Sequence, residues 1–367
     1  MTRDITVTRP SLPPLEELIP HLERIWSTRI LSNRGPYHEQ FESRLVDWFG
    51  SPNVSLVANG SLALDCAIRC ADLTGEVITT PYSFVATAHS IQLAGLTPVF
   101  ADIRRHDFNL DPARVEAAIT EQTSAILAVH CYGSPCDHDA LAAIATRHNL
   151  KLIYDAAHCF GVTLGGTPIV SWGDFATLSF HATKAFNTLE GGAVVCAHPA
   201  GKEAVDLFRN FGIASEESIP GVGTNAKMNE ISAAIGLLQL DRFEQARAAR
   251  GAVAARYRDE LAGIAGIEVP EHDPRLNSNY SYFPIFVTAD YGNCRDGLHN
   301  AMKRANIYTR RYFYPHIASL PAYRDLPSAR AANVPIAVTA AAEVLCLPIY
   351  EGLQDGDIDR VIAIIRG

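Results

Sequence analysis

Several features are scarce or missing in this 367-residue chain, and each narrows what it can do. Charged residues make up only 19% of it, and no block of lysine and arginine interrupts the formal net charge of −9. Without a basic patch there is no electrostatic footprint for a phosphate backbone, so nucleic acid is not expected as a partner. No apolar run approaches the roughly 20 residues of a membrane span, and MTRDITVTRPSLPPLEEL has no apolar stretch of signal length. A soluble, cytoplasmic protein with no membrane partner is expected, in which the sequons at Asn53, Asn59 and Asn279 carry no sugar. Internal repeats and low-complexity tracts are also missing. The eight cysteines fall mostly within apolar runs and read as small buried hydrophobes kept reduced. A zinc site drawn from His130, Cys131, Cys136, His138, His158 and Cys159 would need a second cysteine pair at the usual distance, and none follows. No metal is expected.

What the chain has is hydrophobic residues, 48% of the total, enough for a large domain plus a smaller one. From about Val54 to Val195, short β-rich runs alternate with helical patterns. EVITT, TPVFADI, SAILAVH and LKLIYDAA are near-continuous apolar runs, as strands buried on both faces should be. Between them SFVATAHSIQLAG, DPARVEAAIT and DHDALAAIATRHN have helical spacing, with Asp at N-cap positions. Strand and helix in alternation predict an α/β fold with a mostly parallel sheet covered by helices. Past Met228, EISAAIGLLQLDRF leads into an Arg-rich amphipathic helix that connects to a smaller α+β unit containing YSYFPIFV and DGLHNAMKRAN. The expected division is a large domain over 1–240 and a small one over 241–367.

Ligands of such sheets sit beyond the carboxyl ends of the strands, which directs attention to Asp155 and to the segment around Lys184. In ATLSFHATKAFNTLEGGAVV, a lysine lies between two strand-like runs. Burial there would disfavour its ammonium form, and the neutral amine attacks aldehydes; taken alone, a solvated loop lysine is the commoner case. Asp155 ends the LKLIYD strand before two alanines that leave room for a flat ligand. A carboxylate there could hold a pyridine nitrogen protonated, or simply cap the next helix. Asn59-Gly60-Ser61 opens a helix whose free N–H groups suit a phosphate, or is an ordinary turn capped by Ser61. GVGTNA, Gly221 to Ala226, fits a dinucleotide fingerprint, but no strand precedes it, so it reads as accidental.

Seven phrases, VANGSLAL, PYSFVATAHSIQLAGLTPVFADI, HCYGSPCDHDAL, LIYDAAHCFG, SFHATKAFNTLEGGAVV, GTNAKMNEISAAIGLLQL and LCLPIYEGL, resemble the DegT/StrS family of sugar aminotransferases in order and spacing. The resemblance implies the fold type I of pyridoxal 5'-phosphate enzymes, aspartate aminotransferase-like, working as a homodimer with a shared active site. It implies that Lys184 bonds the cofactor and shuttles protons, that Asp155 meets the ring nitrogen, and that His158 lies near the phenolic oxygen. Gly60, Ser61 and Ser179 would hold the phosphate with Asn225 from the partner subunit, and Phe84 would stack on the ring. His181 matches the SFHxxK form of members acting at the sugar's C4, and keeping a lysine rather than a histidine at 184 favours amino transfer over dehydration. ILSNRGP, SFHATK and NYSYFPIFV look closest to members that move an amino group from L-glutamate to C4 of dTDP-4-dehydro-6-deoxy-D-glucose. Arg34 and Leu189 depart from the pattern and bear on sugar choice. Asn33, Tyr314 and His316 combine polar tips with aromatic neighbours suited to a nucleotide sugar, and equally suit a loop-packing cluster. The alternatives are another keto substrate, such as a UDP-linked 4-keto sugar or a keto cyclitol, or a non-catalytic binding protein on the same fold.

Overall fold

The computed structural model describes residues 4–271 and 273–367. Helices α1 (Leu15–Thr28) and α2 (Pro36–Phe49) precede a seven-stranded sheet built from β1 (Val54–Val57), β2 (Glu76–Thr79), β3 (Thr97–Phe100), β4 (Thr123–Val129), β5 (Lys151–Asp155), β6 (Phe175–Ser179) and β7 (Gly192–Cys196). Its order is β1-β7-β6-β5-β4-β2-β3, and β7 alone runs antiparallel to its neighbours. The apolar runs are continuous because both faces are covered: β1, β6 and β7 are buried along their whole length.

Helices α3 (Gly60–Cys70), α4 (Ala86–Leu93), α5 (Pro112–Ala117) and α6 (His138–His148) are the crossovers. Asp111 and Asp137 cap α5 and α6 as their positions predict, accepting from Ala113 N and Ala140 N. The cap of α3 is Asn59, whose side chain accepts from Leu62 N at 2.9 Å, and not Ser61. Ser61 is exposed in the first turn, so its backbone and hydroxyl are left for other work.

After α7 (Pro199–Phe208), the helix α8 (Glu230–Leu261) runs unbroken for 32 residues, through position 240. It joins the first sheet to a second, antiparallel one of β8 (Ile267–Glu268), β9 (Phe283–Val287) and β10 (Val344–Leu347). Helices α9 (Arg295–Arg304), α10 (Pro335–Glu343) and α11 (Asp355–Arg366) complete this part. A separate apolar cluster, including Tyr257, Phe283, Ile285, Leu345 and Val361, forms its core.

The residues before α1 tie the two parts together. Ile5 pairs with Ile307, Val7 O accepts from Ile349 N, and Ser11 O accepts from both Asn187 Nδ2 and Gln239 Nε2. Six cysteines are buried, Cys70 is half-buried and Cys294 is exposed. Among the described residues no helix is long and apolar enough to cross a membrane.

Candidate active site

The carboxyl ends of β5 and β6 and the start of α3 converge at one place. Gly60 and Ser179 explain how closely: a Cβ on Gly60 would lie 2.6 Å from Ser179 Cβ and 2.9 Å from its Oγ. Only glycine lets the helix start rest on the end of β6. The first-turn N–H groups at Gly60 and Ser61 have no partner within a helix and carry its positive dipole end.

Asp155, the last residue of β5, is buried. Its Oδ2 accepts from Thr87 Oγ1 at 2.8 Å and its Oδ1 from Ala157 N at 3.1 Å. Burial pushes its carboxyl pKa up, and these two hydrogen bonds and the Lys184 charge oppose the rise. Among the described residues no cation forms an ion pair with it.

Lys184 sits in the turn between β6 and β7, its N–H bonded to His181 O. The residue is part-exposed, yet its amine is enclosed: burial, opposed by Asp155 and Cys159, lowers its pKa to about 8. Nζ donates to Tyr282 Oη at 3.3 Å. His158 is buried, and burial followed by the Lys184 charge holds its pKa well below the usual imidazole value. Its Nδ1 accepts from Tyr132 N at 3.1 Å, which leaves Nε2 to carry the ring proton of the neutral form. Phe84, in the turn between β2 and α4 and three residues before Thr87, is 60% exposed and offers a free flat face.

The structure therefore gathers Lys184, Asp155, His158, Gly60, Ser61 and Ser179 at one sheet edge. The other candidates lie outside that cluster, and no hydrogen bond or ion pair among the described residues links Asn33, Tyr314 or His316 to it. His181 is turned onto the lysine turn itself, Nδ1 within 2.8 Å of Thr183 Oγ1 and Nε2 3.5 Å from Glu190. Asn33 is exposed with φ +62, beside Arg34 at φ +60. Tyr314 is 52% exposed beneath the guanidinium groups of Arg295 and Arg311. His316 has a buried Nδ1 with no partner among the described residues, and burial lowers its pKa. Asn225 is exposed in the irregular segment before α8, near Ile219 and Val222 in the chain, which are both exposed too.

Thr87, Tyr132 and Tyr282 contact Asp155, His158 and Lys184 in turn and carry no chemical signature of that in the sequence. Thr87 lies in a run that reads only as helix, and Tyr282 within one that reads as strand. A cleft of about 790 Å³ opens alongside, lined by Arg104, Asp107, Tyr132, Arg258, Tyr280 and Tyr282. Neither Lys184 nor Asp155 lines it.

A sheet with one reversed strand, a lysine in the turn that follows β6 and a carboxylate at the end of β5 make this a fold type I aminotransferase architecture. The structure superposes on that of DesI, determined in the presence of its TDP-sugar product, with a TM-score of 0.95 at 38% identity, covering 100% of this chain and 93% of that one. Residues 15–366 match the DegT/DnrJ/EryC1/StrS aminotransferase family, to which the chain belongs. It is 46% identical over 366 residues to the dTDP-4-amino-4,6-dideoxy-D-glucose transaminase of Shigella dysenteriae and 43% identical over 366 residues to that of Escherichia coli. In both cases 100% of this chain and 99% of the relative are covered.

Proposed function

We propose that this aminotransferase uses pyridoxal 5'-phosphate on Lys184 to move an amino group from L-glutamate to C4 of dTDP-4-dehydro-6-deoxy-D-glucose, giving dTDP-4-amino-4,6-dideoxy-D-glucose. The observation that carries the reading is an enclosed lysine amine with a lowered pKa, on the same sheet edge as a buried carboxylate that forms no ion pair among the described residues. Near-full-length identity to two transaminases of that name supports the sugar.

The residues fit the cofactor. Asp155 is a buried anion suited to a protonated ring nitrogen, and Thr87 and Ala157 fix its two oxygens. The α3 start, held against Ser179 by the absence of a Gly60 side chain, suits a phosphate. Phe84 offers a ring face. When bound, the cofactor supplies an electron sink for a C–H bond beside nitrogen. His158, kept neutral, has Nε2–H to donate toward a phenolic oxygen. Lys184 Nζ takes and returns the proton of the reacting carbon, which an amine titrating near neutrality does well. Asn225 of the partner subunit completes the phosphate contacts in a homodimer, and the exposed apolar residues Phe211, Ile213, Ile219 and Val222 of the segment before α8 suit burial against that partner. Asn33, His181, Tyr314 and His316 meet the nucleotide sugar.

The test is an absorbance spectrum of the protein with added pyridoxal 5'-phosphate, with and without glutamate, beside Lys184→Ala. A visible band that glutamate bleaches, missing in the variant, is expected. Product formation across dTDP- and UDP-linked 4-keto sugars and a keto cyclitol then decides the acceptor. A protein with no such band would not be a catalyst of this kind.

A further inference from the structure

Tyr282 reaches the lysine from the other part of the molecule. It stands one residue before β9, 98 positions after Lys184, and accepts from its Nζ at 3.3 Å. The amine is 5.9 Å from the ring centroid, so the hydroxyl edge and not the ring face is its nearest polar neighbour there. That ring is clamped on three sides. The His158 ring meets it edge-on at 4.7 Å, Tyr312 edge-on at 5.4 Å, and Tyr132 lies at 5.5 Å. Tyr312 is fixed in turn, because its carbonyl accepts from Tyr82 Oη at 2.6 Å and Tyr132 Oη at 2.7 Å. A hydroxyl on so constrained a ring is a stationary point.

We propose that Tyr282 is a positioning residue for Lys184: its hydroxyl accepts from the charged amine, donates to the neutral one, and so holds Nζ in one place through both protonation states. A phenol can do both because it is donor and acceptor at once. Burial pushes the Tyr282 phenol up, so it stays neutral while the amine titrates. The kinetic consequence rests on the function proposed above, whereas the position and proton affinity of the amine belong to the chain alone.

The other titratable groups around the amine are Asp155 at the end of β5, His158 and Cys159 just after it, and Arg9, Arg250 of α8, Tyr350 and Glu351 around a crevice of about 10 Å³ that Lys184 also lines. Removing the Tyr282 hydroxyl leaves all of these in place. It costs the ammonium form more than the neutral amine, because the charge-assisted hydrogen bond is the stronger.

The experiment is competitive labelling of Lys184 with acetic anhydride across pH, read by peptide mass spectrometry on the full, cofactor-free chain, for wild type, Tyr282→Phe and Tyr282→Leu. The wild-type midpoint is expected near pH 8. Tyr282→Phe keeps the ring and its clamps and should lower the midpoint by about one unit, with Tyr282→Leu at least as low. In the loaded enzyme Tyr282→Phe should lower kcat by roughly tenfold with the donor KM little changed. A Tyr282→Phe midpoint coinciding with wild type, with or without a shift in Tyr282→Leu, would reduce the tyrosine to packing and overturn the proposal. The wild-type spectrum with cofactor reports separately: normal binding with an unmoved midpoint removes only the role of Tyr282, and no binding removes the function.

Discussion

The lysine end of the site and its loop fringe are held in opposite ways. At the lysine end, Asp155, His158 and Ser179 are buried, hydrogen-bonded to backbone or to neighbours on other elements, and two of the three have displaced pKa values. On the fringe, Asn33 and Tyr314 are exposed on loops, and the Tyr314 contacts are cations over its ring. The difference teaches where each property resides. Reaction type depends on fields inside a low-dielectric pocket, which strand ends position rigidly. In the function proposed above, acceptor choice rests on side chains that can be exchanged without disturbing that pocket.

The sharpest way to test this division is Asp155→Asn, which keeps the shape and removes the charge. Turnover should fall by about 10²- to 10³-fold, measured in single-turnover mixing with glutamate. Because Asp155 opposes the effect of burial on Lys184, the same change should also bring the amine's midpoint below about 8. The sign follows for stability: Lys184 binds its proton less tightly folded than unfolded, so its contribution rises with pH between about 8 and 10.5. Next in size is Gly60→Ala. Its methyl group must displace Ser179, costing about 1–3 kcal/mol in denaturant unfolding, with cofactor affinity reduced roughly tenfold by titration. Smallest is Tyr314→Ala, expected to raise the sugar KM by less than about fivefold and to leave the cofactor spectrum unchanged. A spectrum altered by Tyr314→Ala would break the division between the two regions.

Much of the lysine end was legible because it is local. A lysine after one strand-like run and an aspartate ending another are placed by chain direction alone, since parallel strands bring their carboxyl ends together. The continuous apolar runs also announced the parallel sheet. Thr87 was not legible, because whether a helical hydroxyl faces Asp155 depends on how α4 is rotated against β5. Tyr282 was less so: nothing within a strand-like NYSYFPIFV tells which side chain reaches a lysine 98 residues earlier. The ordinary-turn alternative names Ser61 as the cap of α3, but Asn59 takes the role because its extended backbone turns the side chain toward Leu62 N. Asn33, Tyr314 and His316 lie on loops whose course is set by tertiary contacts, so their sequence carries composition but not direction.

The segment Ile5–Ser11 has a consequence for how the protein is made. The partners described above, at 187, 239, 307 and 349, are all synthesised long after it. At about 5–20 residues per second, the ribosome takes on the order of tens of seconds to deliver the last of them. Throughout that interval the first sheet can close while Ile5–Ser11 wait beside the growing chain. Among these pairings, those to 307 and 349 become possible only after every strand of the first sheet has been made, so their completion reports that the second part of the fold has joined the first.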